Sequence, residues 1–423
     1  MNTIDSSIDA CVNSLNQHIL RGTPFGLLVG EIDAANRVSA KFGYEYAEAF
    51  QRSYREQLDG LLPGPTLVHR LTDRKFALVL ENLADDVALF ETAAVIAKQA
   101  PPSVHDARDR LVVDVTLGLA SFPRHGEEAG ALLRRAELAL CSAQSRELPY
   151  DMYRPEDTRK LTALWQMESQ LDAAIRSRNL EVHYQPKIRI EDGAVVGVEA
   201  LARWQVAGRG FIAPDTFIPL AERSGLIEPL TWFIMDLVAY DVATWDFIPD
   251  PFSVAVNVTP AILMSEPFLE RVEMLRNLLG RMGSGLIVEL TEESIVENTD
   301  VAAAMARRLR ETGVGIALDD FGRGYSSMSN LRHIPADELK IDRSFLMAMN
   351  AQDADWEIVR ATIELAHRLN LDVCAEGVDS RAVWSSLTQL GCDFAQGFYF
   401  ARPLPSAQIS LCFDNEADTN DEL

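Results

Sequence analysis

The chain has 423 residues, 48% hydrophobic and 24% charged, a globular balance too long for one ordinary core, so two domains are expected. Its formal net charge of −24 opposes broad contact with a nucleic-acid backbone or an anionic membrane. A small phosphate ligand is not excluded, because divalent cations in a carboxylate-rich pocket invert the local field.

Cys11, Cys141, Cys374, Cys392 and Cys412 form neither a CxxC pair nor a His-flanked zinc site, which points to a reducing, cytoplasmic compartment. The start, MNTIDSSIDACVNS, lacks the basic and apolar regions of a signal peptide. The apolar run Thr231–Tyr240 falls short of the roughly 18–20 residues that span a bilayer, so a soluble protein is expected.

Residues 1–24 read as a helical extension. From Phe25 to about Leu148 an apolar run (FGLLVGEI) precedes a helical stretch (Ala34–Leu61) and a strand–turn–strand (TLVHRL, TDR, KFALVL). A helix (Asp86–Gln99), a strand (LVVDVTLGLASF) and a helix from near Glu127 follow, an alternation that predicts an α+β domain over 25–150. Over Glu156–Arg178, Leu161, Leu164, Met167, Leu171 and Ile175 recur at helical spacing, giving a connector helix within 151–178.

A different rhythm fills 165–410. Eight apolar runs alternate with helical stretches: VHYQP, VVGVEALARW, SVAVNV, LIVELT, VGIALDD, ELKID, LDVCAEG and DFAQGFYF. This favours a TIM-like (β/α)8 barrel; the alternative, a doubly wound sheet, lacks a Gly-rich phosphate loop after its first strand. Residues 411–423 read as a solvated acidic tail.

Each run ends, or nearly ends, in a residue able to chelate or catalyse: Gln185, Glu199, Asn257, Glu289, Asp319 with Asp320, Lys340 with Asp342, Glu376 and Gln396. In a parallel barrel such strand ends converge on one mouth. A lone carboxylate there is more often a helix cap, but Glu199 lies among Val198, Ala200 and Leu201, where an ionised acid needs a cation. Oxygen donors without His or Cys suit Mg²⁺ or Mn²⁺, and five carboxylates (Glu199, Glu289, Asp319, Asp320 and Glu376) suit a pair of ions about 3.5–4 Å apart.

Residues 165–405 closely resemble the EAL domain of cyclic di-GMP phosphodiesterases. The motifs are YQP (184–186), VEALARW (198–204), FIPLAE (217–222), NVT (257–259), ELTEES (289–294), DDFGRGYSS (319–327), LKID (339–342), AEGVDS (375–380) and QGFYFARPL (396–404). The resemblance implies two Mg²⁺ or Mn²⁺ ions, the first on Glu199, Asn257, Glu289 and Asp319, with Asp319 bridging, Asp320 on the second and Glu376 completing the site. It makes Lys340, Glu376 and Glu199 the catalytic group, with Lys340 positioning the nucleophilic water. Gln185, Leu201, Arg203 and Gln396 would border cyclic di-GMP, with Arg203 on a phosphate. Glu292 would anchor the loop DDFGRGYSS, whose Gly322 and Gly324 allow backbone movement, and a homodimer through this domain is implied. Arg323, Met328 and Asp379 depart from the commonest pattern without removing a ligand.

The first half resembles, more weakly, a GGDEF diguanylate cyclase domain through EID (31–33), FGY (42–44), HRLTDRKFALVL (69–80), VTLGLASFPRHG (115–126) and AELALCSAQ (136–144). Its signature loop reads TDRKF, with both glycines gone and Arg74 and Lys75 in place of acids. Ser39-Ala40 replaces an Asn-Asp pair, Gln144 replaces a lysine, and PGPT (63–66) stands where an inhibitory RxxD would lie. The expectation is a domain without cyclase activity that regulates, dimerises or binds a protein partner. The ligand set favours a phosphodiesterase over a non-hydrolysing cyclic di-GMP receptor or a protein-interaction regulator.

Overall fold

The computed structural model describes residues 8–32, 58, 66–72, 74–81, 83, 85–98, 104–106, 109–111, 115–206, 208–249, 251–263, 265, 267–291, 299–322, 334–346 and 354–414. The expected helix over Ala34–Leu61 apart from Leu58, Ser39-Ala40, Glu292, Arg323, Gly324, Met328 and the tail past Asp414 lie outside the described residues. The chain divides into two compact units, Met1–Met167 and Glu168–Leu423.

The first unit is built on β1 (Phe25–Ile32), β2 (Thr66–Arg70), β3 (Lys75–Glu81), a small hairpin of β4 (Val104–Asp106) and β5 (Asp109–Leu111), β6 (Val115–Phe122) and β7 (Tyr150–Met152). The main sheet runs β2-β3-β1-β6-β7, with β1 antiparallel to both β3 and β6. Because β1 is central it is covered on both faces, and its sequence is a continuous apolar run rather than an alternation. Leu28, Leu78 and Leu119 pack on one face with Leu89, Ala93 and Ile96 of helix Asp86–Lys98.

The other face holds Leu27, Val79 and Ala120 against helix Ala129–Ser145 and against Cys11 and Leu15 of helix Ile8–Arg21. The N-terminal helix, whose purpose the sequence left open, thus buries its i, i+4, i+7 stripe of Cys11, Leu15 and His18 in this unit. A Cβ on Gly118 of β6 would lie 2.1 Å from the Ala136 carbonyl oxygen and 2.2 Å from the Leu140 nitrogen. Neither backbone atom can rotate away, so Gly118→Ala is expected to destabilise this unit by at least about 1–3 kcal/mol. Hydrogen exchange on the intact chain should show faster exchange in β1 and β6; unchanged protection there would refute the close-packing account.

The second unit contains β8 (Glu181–Arg189), β9 (Val195–Val206), β10 (Gly210–Ile212), β11 (Phe252–Val258), β12 (Ser284–Thr291), β13 (Gly315–Phe321), β14 (Glu338–Ile341), β15 (Asp372–Glu376), β16 (Phe394–Gln396) and β17 (Leu404–Pro405). Strands β9, β11, β12, β13, β14, β15, β16 and β8 close a TIM-like barrel, with β10 and β17 attached at its margins. Every one of the eight apolar runs supplies one barrel strand. Helices cover the outside, and their ends follow local signals: Ser380 accepts from the Val383 N–H to start helix Arg381–Leu390, and Gly391 ends it with φ 70°.

One expectation is corrected. The strands are not all parallel: β8 is antiparallel to both neighbours, β9 and β16. The cause is the turn after Arg189, where Arg189 N–H donates to Ala194 O at 2.8 Å and Gly193 N–H donates to Arg189 O at 2.9 Å. A tight hairpin can only return the chain antiparallel, whereas a parallel crossover needs about a dozen residues or more.

Candidate functional site

Side chains two apart on a strand share a face. On β9 Glu199, on β12 Glu289, on β14 Lys340, on β15 Glu376 and on β16 Gln396 therefore reach the same end of the barrel from five strands. Reversal of β8 brings its N-terminal half to that end, and Gln185 pairs in register with Glu199. Gln185 lies mid-strand, not at a strand end.

The centre of the site is the Lys340 ammonium, which is 1% exposed. Its Nζ lies 2.6 Å from Glu376 Oε1, 2.9 Å from Glu289 Oε1 and 3.4 Å from both Glu199 Oε2 and Asp319 Oδ1. Glu199 is further held by Gln396 Nε2, donating to Oε2 at 2.6 Å, and by Asn257 Nδ2, donating to Oε1 at 2.7 Å. Gln396 Nε2 also donates to Gln185 Oε1 at 3.1 Å. Seven of the expected residues thus make one network around Lys340.

Four others surround it. Asp320, in the left-handed region at φ 57°, sits where the pairing of β13 with β14 shifts register, and its N–H donates to Asp319 Oδ1 at 2.9 Å. Leu201 and Arg203 share a face with Glu199 further along β9, partly buried, and Arg203 donates to the Ala202 carbonyl. Asp342 is buried and caps the short helix Arg343–Leu346 by accepting from the Ser344 N–H.

Electrostatics divide the acids. Burial pushes Glu199 up, but Lys340 and the hydrogen bonds from Gln396 and Asn257 outweigh it and hold Glu199 below the usual carboxylate range. Burial raises Glu289 well above its ordinary value, with Glu199 adding to the rise and Lys340 opposing it. Burial also raises Asp319, and it pushes Glu376 up to about 8 against the pull of Lys340. Lys340 itself is raised well above the ordinary lysine value: burial works against its charge, but Asp319, Glu199, Glu289 and Glu376 prevail. One cation serves more anions than it can neutralise.

This surplus bears on metal binding. Among the described residues no three carboxylate, histidine or cysteine side chains form a ready-made metal cage. The donors nevertheless suit a hard divalent cation, being carboxylates and one amide. Glu289 Oε2 is buried without a hydrogen-bond partner, an uncompensated acceptor that such a cation would satisfy.

Two charged residues were not singled out from the sequence. Lys187 on β8 and Glu338 on β14 are buried, and Nζ meets Oε2 at 2.6 Å. Each lies two residues from a site residue on its own strand, Gln185 and Lys340, and that spacing was the available signal.

In the first unit, the turn that joins β2 and β3 carries Arg74. Its guanidinium lies 3.5 Å from Glu31 Oε1, and Gln144 Nε2 donates to Glu31 Oε2 at 3.0 Å. Thr72 Oγ1 accepts from the N–H groups of Arg74 and Lys75, tying off the turn.

Comparison with known proteins bears on both units. The family described as the EAL domain matches residues 168–403, and the diguanylate cyclase GGDEF domain family matches residues 7–147. The cyclic di-GMP phosphodiesterase NbdA of Pseudomonas aeruginosa is 32% identical over 404 residues, 94% of this chain and 51% of that protein. The bifunctional diguanylate cyclase/cyclic di-GMP phosphodiesterase MucR of the same organism is 31% identical over 408 residues, 95% and 59% of the two chains. The cyclic di-GMP phosphodiesterase PdeR of Escherichia coli is 30% identical over 407 residues, 96% and 60%. The chain thus spans about half to three-fifths of these curated relatives. A solved structure described as the PaMucR phosphodiesterase in complex with c-di-GMP aligns with a TM-score of 0.53 and 38% identity, covering 58% of this chain and 99% of that one.

Proposed function

The chain belongs to the EAL-domain family, with a GGDEF-family domain ahead of the EAL domain, and from that premise we propose that it hydrolyses cyclic di-GMP to linear pGpG. The observation that carries this reading is the convergence of Glu199, Glu289, Asp319 and Glu376 on one buried lysine at one end of a closed barrel.

Glu199, Asn257, Glu289, Asp319, Asp320 and Glu376 would hold two Mg²⁺ or Mn²⁺ ions, which when bound would supply Lewis acidity: a more acidic water and relief of charge on the phosphoryl group. Lys340 would orient the attacking water, its ammonium too strongly held by the surrounding acids to give up its own proton. Glu376, 2.6 Å from the Lys340 ammonium, would help to orient the attacking water. Gln396 and Asn257 fix both oxygens of Glu199, so its carboxylate presents one orientation. Arg203 pairs with a non-bridging phosphate oxygen, with Leu201 and Gln185 lining the bound dinucleotide. Opening one of the two phosphodiester bonds leaves pGpG. Chromatography of a reaction with Mg²⁺ or Mn²⁺ tests this: pGpG is expected to accumulate, and GMP as the first product would contradict it.

The GGDEF-family unit has a regulatory or dimerising role and makes no cyclic di-GMP. Arg74 occupies the signature loop and pairs with Glu31, so a cation stands where the family's acids would be. Since MucR is named as bifunctional, the distinction rests on this chain's own loop. Incubation with GTP and Mg²⁺ is expected to yield no cyclic di-GMP; its formation above a no-enzyme control would overturn the assignment. A homodimer through the EAL domain and a protein partner of the first unit complete the proposal.

A further inference from the structure

Lys187 and Glu338 are a second buried ion pair inside the barrel, one step further from the mouth than the site. Lys187 follows Gln185 by two residues on β8, and Glu338 precedes Lys340 by two on β14. These strands are not neighbours, since β15 and β16 lie between them. The lysine therefore crosses the interior to reach its acid, passing 4.9 Å from the centre of the Phe394 ring. Small residues make the crossing possible: Gly197 lies opposite Lys187 and Ala317 opposite Glu338. A Cβ at Gly197 would lie 2.6 Å from the Ser253 carbonyl oxygen.

A buried pair of this kind adds little net stability over a well-packed apolar pair, so stability alone is a weak reason for it. Its effect on Lys340 is a stronger one. Glu338 and Lys340 share a face of β14, about 6.6 Å apart along the strand. A buried carboxylate without a counter-ion recruits the nearest cation. Lys340 has a flexible four-carbon stem and carries the ammonium next along the same strand face.

We infer that Lys187 is a positioning residue for the reaction, occupying Glu338 so that the Lys340 ammonium stays with the carboxylates at the mouth. The inference rests on the phosphodiesterase reading for its kinetic consequence but not for its geometry. Without Lys187, Glu338 draws Lys340 away from Glu376 and Glu289, and the water loses its orienting partner.

Three variants of the full chain test this: Lys187→Met, Glu338→Gln and the double variant Lys187→Met/Glu338→Leu. Lys187→Met is expected to lower kcat about tenfold to a hundredfold with KM nearly unchanged, as for other residues that act through a ligand. Glu338→Gln strands Lys187 but leaves no bare carboxylate beside Lys340, so the Lys340 resonance should stay near its wild-type position, and the double variant should recover most of what Lys187→Met loses, since no stranded acid remains. In lysine-labelled protein the Lys340 side-chain NMR resonance should shift in Lys187→Met and return in the double variant, whether or not the protein turns over substrate. If wild type fails to hydrolyse cyclic di-GMP, the functional reading falls and this resonance alone decides the positioning role. A double variant as impaired as Lys187→Met, or a Lys340 resonance unmoved by Lys187→Met, overturns the inference. Should Lys187→Met not fold, Lys187→Gln takes its place: a Lys340 resonance that moves in Lys187→Gln and returns in the double variant supports the inference, and one that does not move refutes it.

Discussion

Lys340→Met is expected to lower turnover of cyclic di-GMP by about 10²–10³ and to destabilise the metal-free protein by about 3–5 kcal/mol. Among the described residues the ammonium is the one cation in contact with Glu199, Glu289, Asp319 and Glu376, and methionine keeps its length while removing its charge. The acids left behind are buried, and those already raised can relieve repulsion only by taking up protons. The melting temperature of the EAL domain should fall by roughly 6–20 °C without metal. Added Mg²⁺ should recover more of that loss in the variant than it adds to wild type, because the ion replaces the missing positive charge. Wild-type turnover in Lys340→Met would remove Lys340 from the reaction, and an unchanged melting temperature would remove it from the electrostatic account.

Glu199→Ala is expected to cost at least about 10³ in turnover, for a different reason. Glu199 differs from its neighbours in being held as the anion, by Lys340 and by hydrogen bonds to both of its oxygens. Of the proposed ligands it is the best prepared to meet a cation, and alanine also frees Asn257 and Gln396 to take other partners. The assay is single-turnover hydrolysis at two metal concentrations differing tenfold. The defect should persist at the higher one, because the variant lacks a donor rather than being merely under-saturated. Activity within tenfold of wild type would show that Glu199 is not a ligand in the reacting state.

Much of the second unit is legible in its sequence because a barrel strand buried on both faces is a short apolar run. SVAVNV and LIVELT could be placed without any long-range information, and both are strands. Direction is harder to read, since a strand shows the same run whichever way it points. The reversal of β8 was encoded in its turn, where Glu191-Asp192-Gly193-Ala194 is too short for a crossover. The N-terminal helix was visible as a helix, but its destination was not: an amphipathic stripe shows that something covers it, not what.

The site was legible to the extent that its residues end apolar runs. Glu289 and Glu376 follow that rule and arrive together. The central place of Lys340 was hidden, because a lysine between Leu339 and Ile341 gives no hint of how many acids share it. Lys187 and Glu338 were hidden for a related reason: a charge inside an apolar run announces that it needs a partner, while the partner lies 151 residues away.

On the proposed reading this barrel mouth hydrolyses the dinucleotide rather than merely holding it. Turnover of cyclic di-GMP by the purified full chain in Mg²⁺ or Mn²⁺, measured beside binding of the same ligand by calorimetry, separates hydrolysis from binding. Metal-dependent loss of cyclic di-GMP with matching gain of pGpG, abolished by a chelator, is expected. Intact cyclic di-GMP after prolonged incubation, with clear binding, would contradict it and make the protein a receptor.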